Sequence, residues 1–171
     1  FNTASAPFDN AKVRQAFNYS IDADAIVKLI LNDRAKVAHG ILPPGIPAFN
    51  TKLKGYSYDL PKAKALLAEA GYPDGKGFPP IILEINHDQA HSRIGEFVLA
   101  NLRDLGIPCS LKEIPFAEHI HLVEKGMVPF FRMGWNVDYP DPDGFLYPLF
   151  HSANIGAAGN FSRYNNPLVD K

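Results

Sequence analysis

At 171 residues, 46% of them apolar, the chain is long enough for one domain with its own core. A net charge of −1 with no basic block argues against nucleic acid as a partner, and no apolar run approaches the ~18 residues that a membrane helix needs. The single cysteine, Cys109, excludes an internal disulfide and a cysteine-based zinc site.

Asp9 or Asn10 can cap a helix from about Ala11 to Tyr19, with Val13, Ala16, Phe17 and Ser20 on one face. Asp22 caps a second, from Ala23 to Leu31, striped by Ala25, Ile26, Leu29 and Ile30. Pro43, Pro44, Gly45 and Pro47 forbid helix and sheet interior alike, so Gly40 to Leu53 is expected as an ordered loop. Asp59, with Pro61 in the first turn, opens a third helix that Gly71 ends and Pro73 follows.

Ile81 to Ile85 is a strand candidate, and a helix from about Ser92 to Leu105 stops at Gly106. Ile107 to Ile114 is the next strand, Phe116 to Glu124 a helix ended by Gly126, and Pro129 to Met133 a further strand. Strands alternating with helices over short connections predict βαβ units, an α/β fold and a parallel or mixed sheet flanked by helices. The chain opens in a strand-like Phe1-Asn2-Thr3 and stops at Leu168 to Lys171, which looks like the start of a helix. Residues 1–171 are therefore expected to be a single α/β unit cut from a longer polypeptide.

The most informative stretch runs from Phe131 to Tyr164. It holds the only Trp, Trp135, and the carboxylates Asp138, Asp141 and Asp143, with neither Lys nor Arg from Asn136 to Phe161. A strand feeding a loop with an aromatic plate and an acid is a wall suited to a ligand with an apolar body and a positive group. Asp138 is the candidate partner of an ammonium, because a buried ammonium needs a carboxylate; the competing reading is a turn or capping Asp. Trp135 is either that wall or core packing. Arg132 can meet a ligand carboxylate in a bidentate pair or bridge to a neighbouring acid. Tyr139 can line the cleft. Phe145 and Tyr147 are expected to pack a helix after Pro142 against the sheet, with Asp141 and Asp143 capping that helix.

His119 and His121, and His87 and His91, invite a metal reading. The first spacing points two helical rings apart, and His87 precedes its helix, so surface or cleft-edge histidines and no metal or cofactor are expected. Cys109 is expected to be inert packing in a strand. An enzyme would use Asp138, Asp141 and Asp143 as paired acids or metal ligands, as in a hydrolase. No Gly-x-Ser-x-Gly or phosphate loop accompanies them, and the run lacks the glycine and terminal Glu of an EF-hand loop.

Several blocks together resemble one family, the large solute-binding proteins of bacterial peptide importers (the dipeptide- and oligopeptide-binding group, family 5). Phe8 to Ile26, FDNAKVRQAFNYSIDADAI, is similar to its D-x-RVRQAL-x-x-AID-x-x-x-I block, and Gly40 to Gly45, GILPPG, to its PPG loop. Tyr58 to Tyr72, YDLPKAKALLAEAGY, is similar to Y-D-P-x-KAK-x-LL-x-EAG-Y. Gly134 to Pro142, GWNVDYPDP, resembles GW-x-x-DY-x-DP, and Asn160 to Pro167 resembles N-x-x-x-Y-x-NP. The blocks come in family order and cover essentially the whole chain.

The resemblance implies one lobe of a two-lobe, class II-like periplasmic-binding-protein fold, without its N-terminal lobe. It implies a protein that is not an enzyme, that captures short peptides for an ABC permease, and that is periplasmic or lipid-anchored outside a Gram-positive cell. It gives Asp138, three residues after the Trp, the ligand's ammonium, and Arg132 a place where some oligopeptide binders carry Arg. The loop after Ile85 reads Asn86 to Arg93, NHDQAHSR, without the Arg-Pro-Tyr of dipeptide binders, so strict dipeptide specificity is not implied. Members also carry nickel chelates, haem, glutathione, opines and sugars, which remain alternative cargoes.

Overall fold

A computed structural model describes residues 1–171. Helix α1 spans Ala11–Ser20, with the Asn10 side chain accepting from the Lys12 N–H, and it buries Val13, Ala16, Phe17 and Ser20. Asp22 caps α2, Ala23–Ala25, which widens without a break into a π-helical turn over Ile26–Ile30. Neither helix nor strand occurs between Leu31 and Asp59, where the prolines lie. Asp59 caps α3, Leu60–Glu69.

Strand β1, Ile81–Asn86, pairs in parallel with β2, Cys109–Ile114. The crossover between them is α4, Gln89–Asp104, as a parallel pair requires. Helix α4 begins three residues before the expected start, because Asp88 accepts from the Ala90 and His91 N–H groups. That acid lies inside a mostly polar stretch, Asn86 to Arg93, with no apolar period. Helix α5, Phe116–Glu124, has the expected bounds, and α6 runs Asp143–Phe150 with Pro148 inside it.

The expected strand at Pro129 to Met133 is reduced to a single parallel bridge between Glu84 and Phe131. The Glu84 N–H donates to the Phe130 carbonyl and the Arg132 N–H to the Glu84 carbonyl, each at 3.0 Å. The Pro129 carbonyl turns the other way, to accept the Asn2 N–H at 2.8 Å. The forward bond, from Asn86 N–H to the Arg132 carbonyl, is not made, since that carbonyl faces a side chain instead.

β1 alternates as a strand with two occupied faces. Ile81, Leu83 and Ile85 turn into the core, with Val98, Leu99 and Leu102 of α4. Phe1, Phe8, Phe17 and Phe130 meet ring to ring at centroid distances of 4.9–5.6 Å, closing the core over α1. Burying one such aromatic contributes on the order of 3 kcal/mol, so this cluster is a main source of stability. The other face of β1 carries Glu84, on which the next section turns.

Candidate functional site

Glu84 is 4% exposed and His119 wholly buried. Glu84 Oε1 lies 3.0 Å from His119 Nδ1, and Glu84 Oε2 accepts from Lys112 Nζ at 2.9 Å. His119 Nε2 lies 3.0 Å from the Arg132 carbonyl oxygen. Lys112 is half open to solvent, so its charge also sees water, whereas the other two groups do not. No buried side-chain polar atom is left without a partner.

This overturns the expectation of surface histidines for His119, while His121 and His87 do lie at the surface. His119 stands four residues before the buried Val123, on the inner stripe of α5. The acid that demands it was visible too, because Glu84 sits between the buried Leu83 and Ile85. Nothing in the spacing ties the two together, since they lie 35 residues apart.

Past Arg132 the chain leaves the sheet and enters the stretch that the sequence marks as a candidate ligand wall. Arg132 is half-buried, and its guanidinium makes no ion pair or hydrogen bond within the protein. Burial lowers its pKa below the usual arginine value, and the Asp88 carboxylate at the start of α4 opposes this in part.

Trp135 is 36% exposed, and its indole N–H donates to the Gly144 carbonyl at 2.9 Å. That bond pins the loop to the first turn of α6. A Cβ at Gly159 would lie 3.1 Å from the indole edge, and this glycine sits at φ +121°, so the ring rests where a side chain would stand. Phe131, Met133, Trp135, Leu149, Phe150 and Phe161 line a cavity of ≈ 210 Å³ there. Tyr139 is 62% exposed just beyond.

The three acids separate in role. Asp141 accepts the Asp143 N–H at 2.8 Å and shapes the turn into α6. Asp143 lies in the first turn of that helix, where a negative charge suits the helix dipole. Asp138 is exposed and makes no hydrogen bond or ion pair. No group of three His, Cys, Asp or Glu side chains gathers where a metal could be held. Tyr147 departs from expectation: it is 49% exposed, tilts against His151 at 4.8 Å and lines an open cavity of ≈ 720 Å³ with Leu146, Phe150 and Tyr164.

Comparison with known proteins decides the family. The family model described as bacterial extracellular solute-binding proteins, family 5 middle region, matches residues 1–157. The chain belongs to this family. Family 5 proteins bind solutes and are not enzymes, and this lobe has the α/β fold of periplasmic binding proteins. The heme-binding protein A of Haemophilus influenzae is 38% identical over 99% of the chain, and the dipeptide-binding protein of Escherichia coli 30% identical over 96%. The periplasmic binding protein DppA of Helicobacter pylori, solved with the peptide STSA, superposes with a TM-score of 0.87 at 30% identity over 99% of the chain. The chain spans about a third of each: 31% of the two relatives and 33% of the solved chain. No helix of this family 5 lobe is long and apolar enough to cross a membrane.

Proposed function

We propose that this chain is the ligand-bearing lobe of a two-lobe family 5 protein that captures short peptides and delivers them to an ABC permease, outside the cytoplasmic membrane. The observation that carries this reading is the pairing of two unpartnered charges of opposite sign, Asp138 and Arg132, on either side of the exposed Trp135. A peptide has an ammonium at one end, a carboxylate at the other and apolar side chains between. Asp138 takes the ammonium, Arg132 the carboxylate, and Trp135 with Tyr139 the side chains. The second lobe closes over them and excludes water, which turns weak surface charges into strong ones. The peptide held by the Helicobacter pylori relative supports this cargo.

Isothermal titration of the full-length protein with trialanine and N-acetyl-trialanine tests it. Acetylation and Asp138→Ala each weaken binding more than a hundredfold, from the ~3–5 kcal/mol cost of an unpaired buried charge. Losses below about threefold would make Asp138 a residue of the turn alone.

The 38% identity to a heme-binding protein favours a second reading, a non-peptide cargo. Haem carries carboxylates and no ammonium, so that cargo would use Arg132 and Trp135 and leave Asp138 idle.

A further inference from the structure

The Arg132 carbonyl stands where the sheet ends. In a parallel ladder its donor would be the Asn86 N–H; here it is His119 Nε2, at 3.0 Å. A carbonyl oxygen only accepts, so Nε2 carries a proton. The other ring nitrogen faces Glu84 Oε1 at 3.0 Å, and Glu84's second oxygen already accepts from the Lys112 ammonium. The ring thus spans Glu84 and the Arg132 carbonyl, with both of its nitrogens engaged.

Glu84 therefore holds Arg132 twice. Its backbone carbonyl accepts the Arg132 N–H at 3.0 Å, and its side chain orients the ring that donates to the Arg132 carbonyl. Both peptide groups flanking the Arg132 Cα are thereby fixed. With φ and ψ both held, the direction in which the side chain leaves the backbone is set before any ligand arrives. The next residues, Met133 to Val137, have no regular structure, so no later ladder bond supplies this restraint.

We infer that His119 is a positioning residue that, bridging Glu84 to the Arg132 carbonyl, aims the Arg132 guanidinium and so gives the site its preference for a ligand anion. The inference deepens the peptide reading and rests on Arg132 as the carboxylate partner. The charged groups around this point are Glu84 on β1, Lys112 on β2, Asp88 and His91 at the start of α4, Glu118 beside His119 on α5, and Arg132 itself. Apart from Glu84, each lies at least partly in solvent and can relax, whereas the wholly buried His119 cannot.

The test uses the full-length protein, tetra-alanine and its C-terminal amide. Wild type prefers the free carboxylate by about tenfold or more, the worth of one charge-assisted pair. His119→Gln removes the ring that spans Glu84 and the Arg132 carbonyl; it reduces that ratio to near one, as Arg132→Gln does, and the double variant goes no further. Glu84→Gln, which no longer fixes the ring, also lowers the ratio. Nitrogen NMR of the ring, assigned by its disappearance in His119→Gln, shows Nε2 carrying a proton. A ring without a proton at Nε2, or a His119→Gln protein that loses affinity for both peptides equally and keeps the ratio, overturns the inference and leaves peptide capture standing. A wild type that binds neither peptide overturns peptide capture, and the inference with it.

Discussion

Glu84 joins its neighbours twice over: its carboxylate meets Lys112 and His119, and its backbone makes both bonds to the Phe130–Arg132 segment. Removing it leaves the buried Nδ1 of His119 without a partner. Glu84→Ala therefore destabilises the fold by about 3–5 kcal/mol, measurable as a shift in the urea midpoint; a loss below about 1 kcal/mol would show the pair to be replaceable by water. Cys109 is the opposite case, a residue whose chemistry is suppressed. It is partly buried at the start of β2, and desolvation pushes its thiol up to about 11. Thiolate is the reactive form, so at pH 7 it reacts with a disulfide reagent about a hundredfold more slowly than an exposed thiol. A rate equal to free cysteine would mean that β2 opens readily.

At the scale of elements, the caps and turns carry the fold, and most were legible. Asn10, Asp22 and Asp59 each cap the helix that follows them, and the proline-rich span between Leu31 and Asp59 stays irregular. The misplaced boundary was α4, whose cap Asp88 hides among polar neighbours that carry no apolar period. The hydrogen bond from the His91 N–H is the largest influence lowering the Asp88 carboxyl pKa, with the His91, Ala90 and Arg132 contributions adding to it. A carboxyl depressed in the folded state stabilises it above the ordinary carboxylate range, and that stability is lost as pH falls through it. Protection of the Ala90 and His91 amides, relative to their intrinsic exchange rates, should therefore fall below about pH 4 in wild type. Asp88→Asn, which caps without titrating, should show no such step, and a step in both proteins would assign it elsewhere. The expected strand at 129–133 shortens for a related reason. Its residues suit a strand, but past the Glu84 bridge the side chain of His119 takes the Arg132 carbonyl where the next ladder bond would run. One close approach also depended on tertiary structure: Gly75 and Gly106, both at positive φ, cross so closely that a Cβ on either would overlap the other turn's backbone. Gly75→Ala should lower the thermal midpoint measurably, since neither backbone can yield.

At the scale of the whole molecule, the lobe has a core of its own around the Phe1, Phe8, Phe17 and Phe130 rings. Phe17→Ala should cost about 3–5 kcal/mol by leaving a cavity among them. The isolated lobe is expected to fold cooperatively yet bind trialanine only weakly, because half of the enclosing surface is absent. Micromolar affinity in this piece would contradict a cleft shared between two lobes. The fold class was readable from alternating patterns. Arg132, Trp135, Asp138 and Tyr139 stand as a proposed ligand site on their residue types and on the resemblance they carry. The buried contact of Glu84 with His119 was not legible, because its partners lie 35 residues apart and meet only when α5 packs on β1. The most direct test of peptide capture is mass spectrometry of what the full-length protein releases on mild denaturation after purification. A ladder of short peptides with free termini is the predicted result. A single non-peptide species such as haem would contradict it and withdraw Asp138 from the site.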